Sequence, residues 1–134
     1  KRKYSNVEII TPLAVGADRI VTFQAKKIGI EFQTILPMEK SEYKKDFTYI
    51  SKKEFDYLLS ISKNIKILTN KKNCISRNQK YENIGKYISD NCDILLALWD
   101  GKYNNLKGGT SETIKYHIKN KKELYYIKVD RNSI

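Results

Sequence analysis

Sulfur and imidazole are scarce in this 134-residue chain, which has two cysteines, Cys74 and Cys92, and one histidine, His117. The cysteines form no CxxC pair, and one imidazole cannot complete a set of soft ligands for a structural zinc. No metal site is expected. Nothing asks for an oxidising compartment, and Cys92, just ahead of a hydrophobic stretch, reads as a buried thiol. Long apolar runs are also missing, so no segment approaches the roughly 20 apolar residues that span a bilayer. The opening Lys-Arg-Lys-Tyr-Ser-Asn is followed by too short an apolar stretch for a signal peptide. These absences predict a cytoplasmic protein without a membrane partner. The chain does not begin with Met, which suits an excised domain or a fragment.

Arginine is the third scarcity. Of 26 basic residues only Arg2, Arg19, Arg77 and Arg131 are arginines, while the formal charge is +11. Such a charge invites a nucleic-acid reading. The lysines, however, are spread through every segment instead of gathered on one face, and no basic-aromatic cluster of the single-strand-binding kind stands out. They read as solvated surface, and nucleic acid is not the expected partner.

At 40% hydrophobic and 31% charged residues, the chain can bury one modest core. No repeat, low-complexity segment or linker divides it, so one domain over 1–134 is expected. Five apolar, β-rich runs at residues 7–11, 32–36, 65–69, 94–99 and 124–129 alternate with helical patterns at 18–28, 52–62, 79–91 and 110–119. Strand–helix–strand alternation at this spacing predicts βαβ crossovers, a mostly parallel sheet and a Rossmann-like three-layer α/β sandwich. Val21, Ala25 and Ile28 recur at helical spacing before Gly29 ends the run. Ser51 with Glu54 has capping-box spacing, and Phe55, Leu58 and Leu59 form the stripe that follows. Tyr81, Ile84 and Ile88 repeat the pattern, with Gly85 allowing close approach to the sheet. Ile114 and Ile118 face inward, with His117 beside them as a core residue. The run Ile94–Leu98 is apolar at every position, as in a central strand covered on both faces. Residues 70–78 form the most polar stretch and read as a loop.

Ligands of open α/β sheets bind outside the carboxyl ends of the strands, where loops lead into helix N-termini. Three loops leave that edge. In the loop over 99–110, Gly108 and Gly109 lead into a helix whose free N–H groups and dipole favour an anion, and Thr110 adds a hydroxyl. The loop is also long for a mere connection. In the loop over 12–19, Gly16 repeats the theme. Arg19 occupies a first turn that would by itself select an acid, so it is a candidate clamp for a phosphate, or a salt-bridge partner of Asp18 or Asp100. Asp18 fits an N-cap equally well. Asp100, followed by Gly101, stands where a carboxylate can accept from ribose hydroxyls. Trp99 can stack on a base or cover the core, and Glu112 can cap its helix or touch a sugar. Tyr43, Asp46 and Phe47, in the loop over 37–47, read as a lid or staple.

Gly16-Ala17-Asp18-Arg19, Leu36-Pro37, Tyr43 with Asp46-Phe47, the run from Asp93 to Gly101, and Gly108-Gly109-Thr110 together resemble the SLOG superfamily. That group includes the DprA/Smf proteins, the LOG phosphoribohydrolases and nucleotide-sensing domains of bacterial conflict systems. The resemblance covers nearly the whole chain. It implies a Rossmann-like fold that binds a nucleotide or NAD-derived ligand, with no other cofactor, as a sensor that has a fused or associated effector domain and can be a homo-oligomer. It also implies that the chain opens near the end of the family's first helix, so that a first strand and helix, with part of the pocket, are not in this sequence. The hydrolase branch is the poorer match: Glu112 stands one place too early after the glycines, and Ile84 and Gly85 replace that branch's Arg-Lys pair. A LOG-like nucleoside-monophosphate hydrolase, with Glu112 as the catalytic carboxylate, is the alternative to a sensor.

Overall fold

The computed structural model describes residues 6–68, 75–104 and 109–130. The chain forms two compact units, Lys1–Thr69 and Asn70–Ile134. Both are mixed α/β with parallel strand pairing, and the fold is of the Rossmann-like α/β class.

The first unit runs β1 (Ile9–Thr11), α1 (Ala17–Lys27), β2 (Phe32–Leu36), α2 (Lys40–Tyr43), a 3-10 turn (Lys44–Asp46), α3 (Tyr49–Ser60) and β3 (Ile65–Ile67). Its sheet has the order β1-β2-β3, with Ile9 opposite Phe32 and Thr34 opposite Ile65. Parallel neighbours need crossover helices, and α1 and α3 supply them. The core gathers Leu13, Ala25, Phe32, Ile35, Leu36, Phe55, Leu58 and Leu59, all buried. The α3 stripe is therefore the expected one. The inward side of α1 is not: Arg19, Thr22 and Ala25 are buried while Ile28 is exposed. The helix turns a polar edge to the protein because Arg19 finds acceptors there. It ends as expected, with Gly29 at φ +79° and Ile30 N–H bonded to Ala25 O.

The capping box at Ser51 is a correction. Helix α3 starts three residues earlier than expected, capped by Thr48, whose hydroxyl accepts the Ser51 N–H at 3.2 Å. Ser51 and Glu54 are left with another task, described below. Helix α2 and the 3-10 turn fall in a stretch read only as loop.

The second unit comprises α4 (Arg77–Asn91), β4 (Ile94–Trp99), α5 (Thr110–Lys119) and β5 (Glu123–Lys128). Strands β4 and β5 pair in parallel over six residues, from Ile94–Glu123 to Trp99–Lys128. Ser76 caps α4 by accepting the Gln79 N–H, and Ile84, Ile88, Leu95, Trp99 and Ile114 are buried. Two expectations are corrected. Leu96 is 46% exposed, so β4 is not covered at every position, and Ile118 is exposed while His117 takes the inward place beside Ile114.

His117 is completely buried and joins three elements. Its Nε2 lies 2.6 Å from Glu123 O and its Nδ1 lies 2.7 Å from Ser89 Oγ. A carbonyl can only accept, so Nε2 carries a proton, while Nδ1 and the Ser89 hydroxyl share the second bond. The Lys122 ammonium finishes the C-terminus of α4 by donating to Ser89 O at 2.6 Å.

Gly85 permits a close approach, but to α5 and not to the sheet. A Cβ there would lie 2.6 Å from Thr113 Oγ1, which is itself held by a hydrogen bond to Gly109 O. Gly85→Ala is expected to destabilise the fold by about 1–3 kcal/mol through overpacking. Adding Thr113→Ala removes the clashing oxygen and should recover most of the loss, as read from urea-denaturation midpoints of the single and double variants.

Candidate functional site

The first loop is built residue by residue to present the start of α1. Thr11, at the end of β1, accepts the Leu13 N–H on its hydroxyl at 3.1 Å. Leu13 is buried at φ +56°, a left-handed conformation that few side chains adopt. Gly16 has φ +105° and ψ −125°, which suits glycine alone. Its carbonyl receives the Arg19 and Ile20 N–H groups and so opens the helix. Among the described residues no acceptor takes the N–H groups of Val15, Gly16 or Ala17. Three open donors at the positive end of an 11-residue helix suit an anion.

Under this loop lies Arg19, 2% exposed. Its Nε donates to Leu13 O at 3.0 Å, and its Nη1 lies 2.9 Å from Ser51 O, 2.8 Å from Ser51 Oγ and 3.1 Å from Glu54 Oε1. The guanidinium also lies 4.6 Å from the centre of the Phe47 ring and 5.7 Å from that of Phe55, close enough for cation–π attraction. The salt bridge is thus to Glu54, neither to Asp18 nor to Asp100. One group is left over: Nη2 is buried and has no hydrogen-bond partner. An unpartnered buried donor costs about 1–3 kcal/mol, so a group that accepts from it would be favoured.

Asp18 is half-buried as a residue, but protein encloses its carboxyl. Desolvation pushes its pKa up to about 6, against the opposing effects of the Ala14 N–H, which donates to Oδ2 at 2.9 Å, and of the Arg19 charge. Asp18 is therefore no N-cap of the usual kind; it bonds backwards to the loop. A titratable group so displaced, at the carboxyl end of a strand, is a candidate for function.

The second loop, over 37–47, leaves the same carboxyl edge after β2. Tyr43 is buried, donates its hydroxyl to Pro12 O at 3.0 Å and meets Phe47 and Phe55 edge-on at 4.8 and 5.5 Å. It staples the second loop to the first. Asp46 ends the 3-10 turn ahead of Phe47. A shallow hollow of about 410 Å³ nearby is lined by Lys40, Ser41, Lys44, Lys45 and Lys52. Asp56 binds Lys40 and Lys44, and Glu42 binds Lys45, so two carboxylates offset part of the charge of its four lysines.

In the second unit the glycine-led helix start is partly seen. Gly108 lies outside the described residues. Gly109 has φ −80° and ψ 172°, an extended conformation open to any residue, so its freedom is not what the turn requires. Thr110 opens α5, and Ser111, 1% exposed, receives the Asn104 N–H at 3.1 Å and ties the loop to the helix. Glu112 stands in the first turn of α5 and has an interaction partner. Asp100 Oδ1 accepts the Lys102 N–H at 2.9 Å within a turn that needs Gly101 at φ +84°. Trp99 is buried, donates from Nε1 to Lys102 O at 3.0 Å and packs edge-on against Tyr103 and Tyr126. Among the described residues no group of three His, Cys, Asp or Glu side chains could hold a metal ion, and no helix is long and apolar enough to cross a membrane.

The residues that sequence reasoning missed are those that hold Arg19. Ser51, Glu54 and Phe55 carry no ligand signature, and the Ser51–Glu54 spacing has a conventional capping meaning. The available signal was Arg19 itself, an arginine in a first turn that asks for a partner.

Two predictions follow from this geometry. Arg19→Ala should cost about 2–4 kcal/mol, since it strips the acceptors of Leu13 and Ser51 and the faces of two rings. Glu54→Ala should cost about 1 kcal/mol or less, because that side chain is 42% exposed and Ser51 still holds Nη1. Chemical denaturation of the two variants tests the ranking. The second concerns Asp18. Its folded pKa lies above its unfolded value of 3.8, so the folded state binds the proton more tightly and stability falls as pH rises from about 4 to about 6. Asp18→Asn, which keeps an oxygen for the Ala14 N–H, should abolish that fall and gain about 1–3 kcal/mol at pH 7. Thermal melts across this range give the answer, and a variant less stable than wild type at pH 7 would refute the account.

Set beside known proteins, the chain matches no family model and no curated protein.

Proposed function

We propose that this chain binds a nucleotide or an NAD-derived molecule and serves as a sensing module of the SLOG kind. One observation carries the reading: at the carboxyl edge of the β1-β2-β3 sheet, the N–H groups of Val15, Gly16 and Ala17 stand open above a buried arginine that has a donor to spare. Amides at a helix start and a guanidinium are the donors that phosphate binding uses. In the second unit, taken by itself, Gly109 and Thr110 form another helix start, and Asp100 and Gly101 a polar turn. Binding is favoured over hydrolysis because Glu112 stands one place too early after the glycines and Ile84 and Gly85 take the places of the hydrolase branch's Arg-Lys pair.

Calorimetric titration with nucleoside mono-, di- and triphosphates, NAD, ADP-ribose and cyclic nucleotides should yield saturable heat with at least one of them. Gly16→Val, which puts a side chain at a φ closed to it, should abolish that heat. So should Arg19→Lys, which lacks the fork. A folded protein giving no heat with any member would refute the proposal.

A further inference from the structure

Asp18 places a proton in the same site, an inference that rests on the anion-binding reading above. The residue stands in the first turn of α1 and reaches back over the loop, where its Oδ2 accepts the Ala14 N–H at 2.9 Å. That amide directly precedes the open donors of Val15, Gly16 and Ala17. The protein's own carboxylate therefore sits among the groups an incoming anion would use. The charge acting on it is that of Arg19, on its own helix; Arg19 is in turn offset by Glu54 of α3. Strand β1 brings only the Thr11 hydroxyl to this loop, and that is already bonded to Leu13.

Arg19 supplies the second, independent indication of a ligand. Its side chain is buried and its Nη2 lacks an acceptor. The guanidinium is planar, so one Nη2–H runs parallel to the Nε–H. The Nε–H points at Leu13 O, so the spare donor is aimed at the same loop. The Asp18 carboxylate is bonded to the amide just before the open ones, so a phosphoryl group on those amides brings a second negative charge to this loop. Two anionic groups enclosed together strongly disfavour the doubly ionised state.

We propose that a phosphoryl group bound at the start of α1 enters with one proton, taken from solvent by Asp18. The protonated carboxyl then donates to a phosphoryl oxygen, and what was a competing acceptor becomes part of the cradle. One O–H bond forms, on Asp18, with its proton supplied by the buffer; no other covalent bond changes, and Asp18 no longer sets a negative charge against the ligand's. Affinity for the ligand thereby becomes a function of pH around neutrality, so the module reads acidity together with ligand concentration.

The test is calorimetry with ADP-ribose, whose bridging phosphates stay ionised near neutrality, so that any proton taken up belongs to the protein. Titrations in two buffers of different ionisation heat, at several pH values from about 6 to 8, count the protons. The expected result is uptake approaching one proton per ligand above pH 7, with Kd rising about tenfold per pH unit. Asp18→Asn should bind with no uptake and little dependence on pH. Binding without uptake in the wild type, or undiminished uptake in Asp18→Asn, overturns the coupling and leaves nucleotide binding standing. No binding of ADP-ribose or of any other nucleotide, at any pH, overturns both. Should the variant fold poorly, the buffer dependence of the wild type decides the matter alone.

Discussion

A single guanidinium organises the first unit. Arg19 leaves a helix that begins at Gly16 and ties the carbonyl of Leu13 to the first turn of α3. Burying a cation is costly unless it is paired and fully hydrogen-bonded. Here the cost is offset by backbone and hydroxyl oxygens, by the half-exposed Glu54 carboxylate and by the faces of Phe47 and Phe55. A lysine could not replace it: a point charge on a flexible stem cannot bond Leu13 and Ser51 at once while stacking on a ring. The unusual φ at Leu13, the turn at Gly16 and the open amides that follow all depend on this anchor. Tyr43 reinforces it from the side, bonding to Pro12 and closing the aromatic cluster around the cation.

The second unit is organised by buried polarity of another kind. Its anchor is a chain of hydrogen bonds from Ser89 on α4 through His117 on α5 to Glu123 at the start of β5. Each buried polar atom in that chain has a partner, the condition under which such a network rigidifies a core instead of weakening it. Gly85 makes the arrangement possible by letting the two helices approach, and Lys122 completes the end of α4.

The alternation of strands and helices was legible in the sequence because buried parallel strands and amphipathic helices have distinct periods, and the parallel α/β class follows from that alone. Element boundaries were less so, since Thr48 and Ser51 both offer a cap and only packing decides between them. The failures at Arg19, Ile28 and Ile118 share one cause. A period-based reading assigns apolar residues to the inside, whereas α1 turns an arginine and a threonine inward because specific partners wait there, and α5 gives the inward place to His117, as expected, but not to Ile118. Such partners lie far along the chain: Ser51 and Glu54 follow Arg19 by 32 and 35 positions, and no local pattern announces them. The candidate site was legible as a loop, from Gly16 and from Arg19 in an unfavourable first turn. Its inner half, Ser51, Glu54 and Phe55, was not.

The Gly16 turn also runs against its own stability, and that bears on what it is for. A buried guanidinium nitrogen without an acceptor costs about 1–3 kcal/mol, and a carboxyl whose pKa rises to about 6 opposes folding at neutral pH by a similar amount. Domains of this size are stable by only about 5–15 kcal/mol in all, so the two together are a sizeable fraction. A purely structural loop has simpler solutions: an asparagine at position 18 would keep the bond to Ala14 without the ionisation penalty, and an acceptor opposite Nη2 would remove the other. Strain of this sort concentrates at ligand sites, where a bound group supplies the missing partners. On the proposed reading, the lone acidic residue in the first turn of α1 and the single arginine of that helix belong together, as two halves of a site that a bound anion completes.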